Sequence, residues 1–229
     1  MLKPRKRITR REIKEDPLVT RYFQARKFIQ QYAKQIQYGV IGILLVILFG
    51  IMMSKNQQRS EANAAAQLVS AEMNYFSQNY NQAIPALIQV IDSYSGTKAA
   101  GTAVYYTANS YYAGGDFENA EIYFRTYLDE YSDNPLFTES SRAGVAACLE
   151  NKEQYAEAAA LYEQASKDNP GSFEAPFHLK NAARCYLLSG NSEKSKTLYQ
   201  LILDKYLVNL DDSSLSELKR EVELRVEAL

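Results

Sequence analysis

Four short segments of this chain recur at a nearly fixed spacing. The run Gly115-Asp116-Phe117-Glu118-Asn119-Ala120, followed by Phe124, returns as Glu153-Gln154-Tyr155-Ala156-Glu157-Ala158 with Tyr162. Weaker copies flank these two: Gln78-Asn79-Tyr80-Asn81-Gln82-Ala83 with Leu87, and Gly190-Asn191-Ser192-Glu193-Lys194-Ser195 with Tyr199. The small residues Ala83, Ala120, Ala158 and Ser195 stand 37, 38 and 37 residues apart. A period of this size predicts a solenoid of helical hairpins, because one hairpin cannot bury its apolar face and stacking does it instead. Small residues let two helix backbones approach, and an aromatic ring fills the gap toward the next unit. The open end then needs a cover. Residues 212–229 suit that role as a C-terminal capping helix, with Ser214 and Glu217 spaced as a capping box and Leu215, Leu218, Val222, Val226 and Leu229 on one face.

In these motifs the chain resembles the tetratricopeptide repeat, a helix-turn-helix unit. In that register the small position of each first helix falls on Ala71, Ala108, Ala146 and Ala183, with aromatic residues following at Tyr111 and Tyr186. The second repeat matches most fully, with Gly115 in its turn, Ala120 and Phe124 in its second helix and Pro135 after it. The third carries Ala146, Tyr155, Ala158, Tyr162 and Pro170 and lacks only the turn glycine. The first and fourth depart further: Asn74 replaces an aromatic, Ser192 and Ser195 replace an aromatic and an alanine, and Pro85 sits early in a second helix. The resemblance covers residues 64–211. It implies an all-α fold of about four hairpins in which Ala83, Ala108, Tyr111, Gly115, Ala120, Phe124, Ala146, Tyr155, Ala158, Tyr162, Ala183 and Tyr186 are repeat-packing residues.

Ahead of the array lies an uncharged stretch, Gln35 to Ser54, with a strictly apolar centre from Gly39 to Met53. Twenty helical residues rise about 30 Å, the thickness of a bilayer's hydrocarbon core. Residues 1–34 carry 11 Lys or Arg against three acids, a net of +8, whereas the chain beyond Ser54 is net −9. The positive-inside rule then predicts a cytoplasmic N-terminus and a single inner-membrane span over 37–54, with the remainder on the periplasmic or other extracytoplasmic side. Alanines 62–66 offer a small-x-small cleavage pattern, but they stand about ten residues past the apolar run, behind an unusually long basic region. An uncleaved signal anchor fits better, followed by a linker at 55–63.

The basic tail, residues 1–16, precedes a second pattern. Leu18, Tyr22, Ala25, Ile29, Tyr32 and Ile36 follow at alternating spacings of four and three, predicting an amphipathic juxtamembrane helix over 17–36, with Pro17 at its first position. Its polar face carries Arg21, Arg26, Lys27 and Lys34, suited to anionic lipid or to a partner helix, and equally to simple solvation.

No catalytic constellation, metal-ligand cluster or phosphate-cradling loop is evident, so the chain reads as non-enzymatic, without cofactor, small-molecule substrate or nucleic-acid partner. The single histidine, His178, has no neighbouring ligand in sequence. Cys148 and Cys185 occupy equivalent places in adjacent repeats, normally too far apart to bridge, which favours two buried thiols, with a disulfide as the alternative that a non-reducing outer compartment would permit. Function is then expected on a surface. The repeat resemblance implies that the first helices line a concave groove, with Leu68, Glu72 and Tyr75 facing into it, then Thr102, Tyr105, Asn109 and Tyr112, then Ala143, Ala147 and Glu150, and finally Phe177, Lys180, Arg184 and Leu187. Such a lining suits an extended peptide or partner helix. Lys180 and Arg184 have an alternative, pairing with acids of a neighbouring repeat.

The whole arrangement of basic tail, signal anchor and outward repeat domain resembles the bacterial ancillary Sec translocon subunit family. That resemblance implies protein partners: translocon subunits, envelope chaperones such as a membrane-anchored prolyl isomerase, or translocating chains. A structural subunit of another membrane complex and a chaperone-like binder of unfolded envelope proteins are the competing expectations.

Overall fold

The computed structural model describes residues 17–207 and 215–229. The basic tail 1–16 and Ser214 of the anticipated capping box lie outside the described residues, as does the side chain of Leu18. Among the described residues there are ten α-helices and no strands: α1 (Pro17–Gln31), α2 (Ala33–Phe76), α3 (Tyr80–Ser93), α4 (Lys98–Ala113), α5 (Phe117–Glu130), α6 (Pro135–Asn151), α7 (Tyr155–Asp168), α8 (Ala175–Leu188), α9 (Ser192–Tyr206) and α10 (Ser216–Ala228). The chain divides into two units at Gln57 and Gln58.

The first unit contains α1 and the apolar part of α2. The bend at Tyr32 interrupts what the periodicity predicts as one run, although the Tyr32 N–H still reaches Phe28 O and the Ile36 N–H reaches Tyr32 O, both at 2.9 Å. Residues 20–57 are exposed throughout. Helix α2 is the one described helix long and apolar enough to cross a membrane.

The second unit is a helical solenoid built from four hairpins, the end of α2 with α3, whose Leu68 and Ala71 share a core cluster with Ala83 and Leu87, then α4–α5, α6–α7 and α8–α9, with α10 packed after them. Residues 55–63, expected as a linker, are part of helix α2. The end of this segment already belongs to the array: the Glu61 carboxylate accepts hydrogen bonds from the N–H groups of Lys98 and Ala99 at 2.8 and 3.0 Å, and Ala64, just past it, is fully buried. Those amides are unpaired donors of the first turn of α4, so Glu61 caps a helix 37 residues downstream and meets its positive dipole end.

The hairpin turns show why the sequence repeats as it does. At Gln78, Gly115, Glu153 and Gly190 the backbone turns left-handed, with φ of 60°, 80°, 60° and 85°. In each, the next residue's N–H reaches back five residues, from Asn79 to Asn74 O, Asp116 to Tyr111 O, Gln154 to Leu149 O and Asn191 to Tyr186 O. This is the Schellman closure of a helix C-terminus, and it satisfies carbonyls that the helix end leaves orphaned. Asp116 and Asn191 then cap the following helices by accepting from the N–H groups of Asn119 and Lys194, each at 3.1 Å. The third repeat builds the same turn without glycine, placing Glu153 where a Cβ is unfavourable. Glu153→Gly is accordingly expected to raise the unfolding free energy by about 0.5–1 kcal/mol, read from the thermal midpoint of the full chain.

The repeat-packing alanines Ala83, Ala108, Ala120, Ala146, Ala158 and Ala183 are fully buried, and Phe124, Tyr162 and Tyr186 are buried beside them. Tyr111 and Tyr155 are half-buried, Tyr111 stacking on Tyr123 at 5.6 Å, and Gly115 stays exposed in its turn. One contact had no counterpart in the motif reading. A Cβ on Gly144 of α6 would lie 2.5 Å from the Phe124 ring, which is itself buried. Gly144→Ala therefore sets a helix-propensity gain of about 1 kcal/mol against overpacking of about 1–3 kcal/mol. A net loss near 1 kcal/mol is expected in a denaturation series, and Phe124→Leu in the same chain should shrink it. Beyond the hairpins, Leu215, Leu218 and Val222 are buried against the main core, with Val226 and Leu229 partly so.

Candidate interaction surface

The surface residues implied by the repeat register separate into two chemically different halves. In the first half the groups are aromatic. Tyr75 of α2 lies 4.6 Å from Tyr106 of α4, and Phe76 contacts the same ring at 5.7 Å. Tyr106 adjoins Tyr105, which stacks almost parallel on Phe137 of α6 at 4.3 Å and 10°. Aromatic rings thus run without a break across the first helices of three successive repeats. Burial among other tyrosines pushes the Tyr75 hydroxyl up to about 12, so it stays protonated and able to donate at physiological pH. Burial also raises the pKa of Glu72, which lies one turn before Tyr75. Thr102 and Asn109 bond back to carbonyls of their own helix, Lys98 O at 3.2 Å and Tyr105 O at 2.8 Å, so neither is drawn into the aromatic series. Tyr112 meets Phe117 edge-on at 5.3 Å. Leu68 is buried in the core.

In the second half the charged residues are occupied by one another. Arg184 of α8 grips the Glu150 carboxylate of α6 through both terminal nitrogens, the Nη2 contact being 2.8 Å, and the Tyr162 hydroxyl donates to the same carboxylate at 3.3 Å. The Arg184 hydrogen bond holds Glu150 below the ordinary carboxylate range despite its burial. Lys180 pairs with Glu221 of α10 at 3.0 Å. Lysines elsewhere repeat the device on neighbouring elements: Lys152 reaches Glu121 at 2.8 Å and Lys194 reaches Glu163 at 2.9 Å. Pairing with acids of an adjacent element, the alternative open to Lys180 and Arg184, is the arrangement found.

The register reading missed Phe76, Tyr106 and Phe137. Tyr106 and Phe76 stand beside counted positions, and Phe137 precedes the third repeat's first counted residue, so only the ring contacts place them in the series. Cys148 and Cys185 are buried and unbridged, and burial pushes both thiols up to about 12, far from a reactive thiolate. His178 is buried, and burial lowers its pKa, keeping the imidazole neutral. Among the described residues no group of three His, Cys, Asp or Glu converges.

A stack of hairpins with small-residue seams, joined by ion pairs between repeats such as Arg184 with Glu150 and Lys152 with Glu121, defines a helical-repeat scaffold. The sequence matches the tetratricopeptide repeat-like domain family over residues 26–221, most of the chain, and the chain belongs to that family. Two crystal structures of a Podosopora anserina putative kinesin light chain with nearly identical TPR-like repeats, one of them a single-substitution variant, share the fold at TM-score 0.55. They are 15% and 14% identical, and the match covers 73% of this chain in both cases and 95% and 94% of theirs. The N-terminal domain of stress-induced protein-1 from C. elegans is also similar, at TM-score 0.44 and 17% identity over 55% of this chain and 96% of that domain. No curated protein sequence matches the chain. Tetratricopeptide repeats are protein-protein interaction scaffolds and their families are generally non-catalytic.

Proposed function

We propose that this chain is a non-enzymatic adaptor anchored in the bacterial inner membrane by α2, with its repeat array on the periplasmic side binding proteins during translocation or envelope biogenesis. The observation that carries the reading is the joining, in one chain, of a binding array to one apolar helix behind a strongly basic segment. An apolar run flanked by cations on its N-terminal side favours that side in the cytoplasm. The aromatic series from Tyr75 to Phe137 supplies rigid anchors for a protein segment, since large aromatic side chains contribute most to such contacts per residue ordered. Likeness in architecture to the ancillary Sec translocon subunit family directs the partner choice toward translocon subunits, envelope chaperones and translocating chains.

Photo-crosslinking from the Tyr105 and Phe137 positions in native membranes, followed by identification of the adducts, tests the reading. Enrichment of translocon subunits, their envelope chaperones or exported chains is the expected result; adducts confined to cytoplasmic proteins would sink it. Topology is checked separately by protease access to the array in intact spheroplasts, where cleavage beyond Ser54 is expected.

A further inference from the structure

The hairpin formed by the end of α2 and by α3 has a composition unlike the rest of the array. Between Ala62 and Ile91 a single charged residue occurs, Glu72, in a chain of which 23% is charged. Charge depletion of this kind distinguishes the cores of interfaces from ordinary surface. On α2, Val69, Met73 and Phe76 are 56%, 67% and 66% exposed. Together with Glu72 they stand at i, i+3, i+4 and i+7, and so share one helix face beside the stripe Leu68, Ala71 and Tyr75 that packs inward.

Glu72 differs from the other charged residues that the repeat register places on the groove, Glu150, Lys180 and Arg184. Glu150, Lys180 and Arg184 all have partners within the chain, whereas Glu72 has neither an ion-pair nor a hydrogen-bond partner among the described residues. It is half-buried, and its field adds to the burial that raises the pKa of the neighbouring Tyr106. The rings one turn beyond it, Tyr75 and Phe76, both rest on Tyr106. A carboxylate bordered by aromatic rings attracts a cation twice, through its charge and through the negative ring faces.

From this we infer that the exposed α2 face around Glu72 is a docking site for a protein segment bearing a basic side chain flanked by apolar ones, the cation lodging at Glu72 and the apolar groups on Val69, Met73 and Phe76. The occupant's sign follows from charge complementarity: one uncompensated carboxylate in an otherwise neutral, apolar surface selects a cation and penalises an acid. The inference rests on the reading of the array as a binder of protein segments and specifies which segments it takes.

The test uses the full chain in detergent micelles and three fluorescein-labelled peptides of about 12 residues, identical in two leucines and one phenylalanine, with a central arginine, citrulline or glutamate. Fluorescence anisotropy should show the arginine peptide binding about tenfold tighter than the citrulline peptide and the glutamate peptide weakest. Glu72→Gln should bring the arginine-to-citrulline ratio to about one, and Met73→Ser should weaken all three, with circular dichroism confirming that both variants fold. Equal affinities for the arginine and citrulline peptides, or a preference that survives Glu72→Gln, overturns the inference while leaving peptide binding by the array intact. Failure of every peptide to bind the wild type overturns the scaffold reading as well. Light scattering supplies a further overturning result, a dimer that Met73→Ser converts to monomer, which would make a second copy the occupant of this face.

Discussion

Phe124→Ala is expected to lower the unfolding free energy of the chain by about 3–5 kcal/mol, more than any other substitution proposed for this protein. The ring is 2% exposed and fills the seam between α5 and α6, where Gly144 leaves the space it occupies. Truncation removes the ring's transfer free energy and leaves a cavity that the surrounding alanines cannot fill. Ala120, Ala146 and Ala158 already bring the helix backbones into close approach, so the walls have little left to collapse. Urea unfolding of the full chain followed by far-UV circular dichroism measures the loss. A change below about 1 kcal/mol would mean that the seam between the second and third repeats is not held by this ring. Because repeat arrays are stabilised by nearest-neighbour contacts, the damage should centre on that seam, with amide exchange rising first in α5 and α6.

Arg184→Met should cost about 2 kcal/mol at neutral pH. The Arg184 and Glu150 side chains are 41% and 20% exposed, which places the loss below that for breaking a fully buried pair and above the surface norm. Removing the guanidinium leaves a half-buried carboxylate that keeps hydrogen bonds from the Tyr162 hydroxyl and the Cys185 thiol. The pair also sets a pH dependence. Arg184 depresses the Glu150 pKa in the folded state, so the stabilisation is present above the unfolded carboxylate value near 4.5 and is lost as pH falls through the lower folded value. Glu121 and Glu163 act in the same sense: burial works against them, but Lys152 with Arg125, and Lys167 with Lys194, hold both below the ordinary range. The wild type should therefore lose stability steeply below about pH 4.5, and Arg184→Met should show a shallower slope over that window without abolishing it. Parallel slopes for the two proteins would mean that the pair contributes nothing to the acid sensitivity. A double-mutant cycle with Glu150→Gln isolates the coupling.

Much of the architecture is legible without coordinates, because the determinants of a helical hairpin are local. Ala120, Ala158 and the turn at Gly115 recur at a spacing that the stacked unit itself sets, and each acts within one or two turns of its own position. The apolar run in α2 and the charge split around it are local in the same sense, readable from composition alone. The turn at Glu153 shows the limit of that reading: glycine is favoured there but not required, since five-residue closure to Leu149 O forms without it.

The sequence by itself determined the repeat period, the hairpin turns, the small-residue seams and the presence of one helix apolar enough for a membrane. Periodicity fixes which face of a helix a residue occupies, and it says nothing about which residue of the next helix that face will meet. Tertiary structure alone decided that Glu61 belongs to the array as the cap of α4, that Arg184 is engaged by Glu150 34 residues away, and that Phe137 continues the ring series begun at Tyr75. Those pairings depend on the angle and offset between successive hairpins, which arise from the packing of many side chains together, and they leave the Glu72 carboxylate without an ion-pair or hydrogen-bond partner among the described residues.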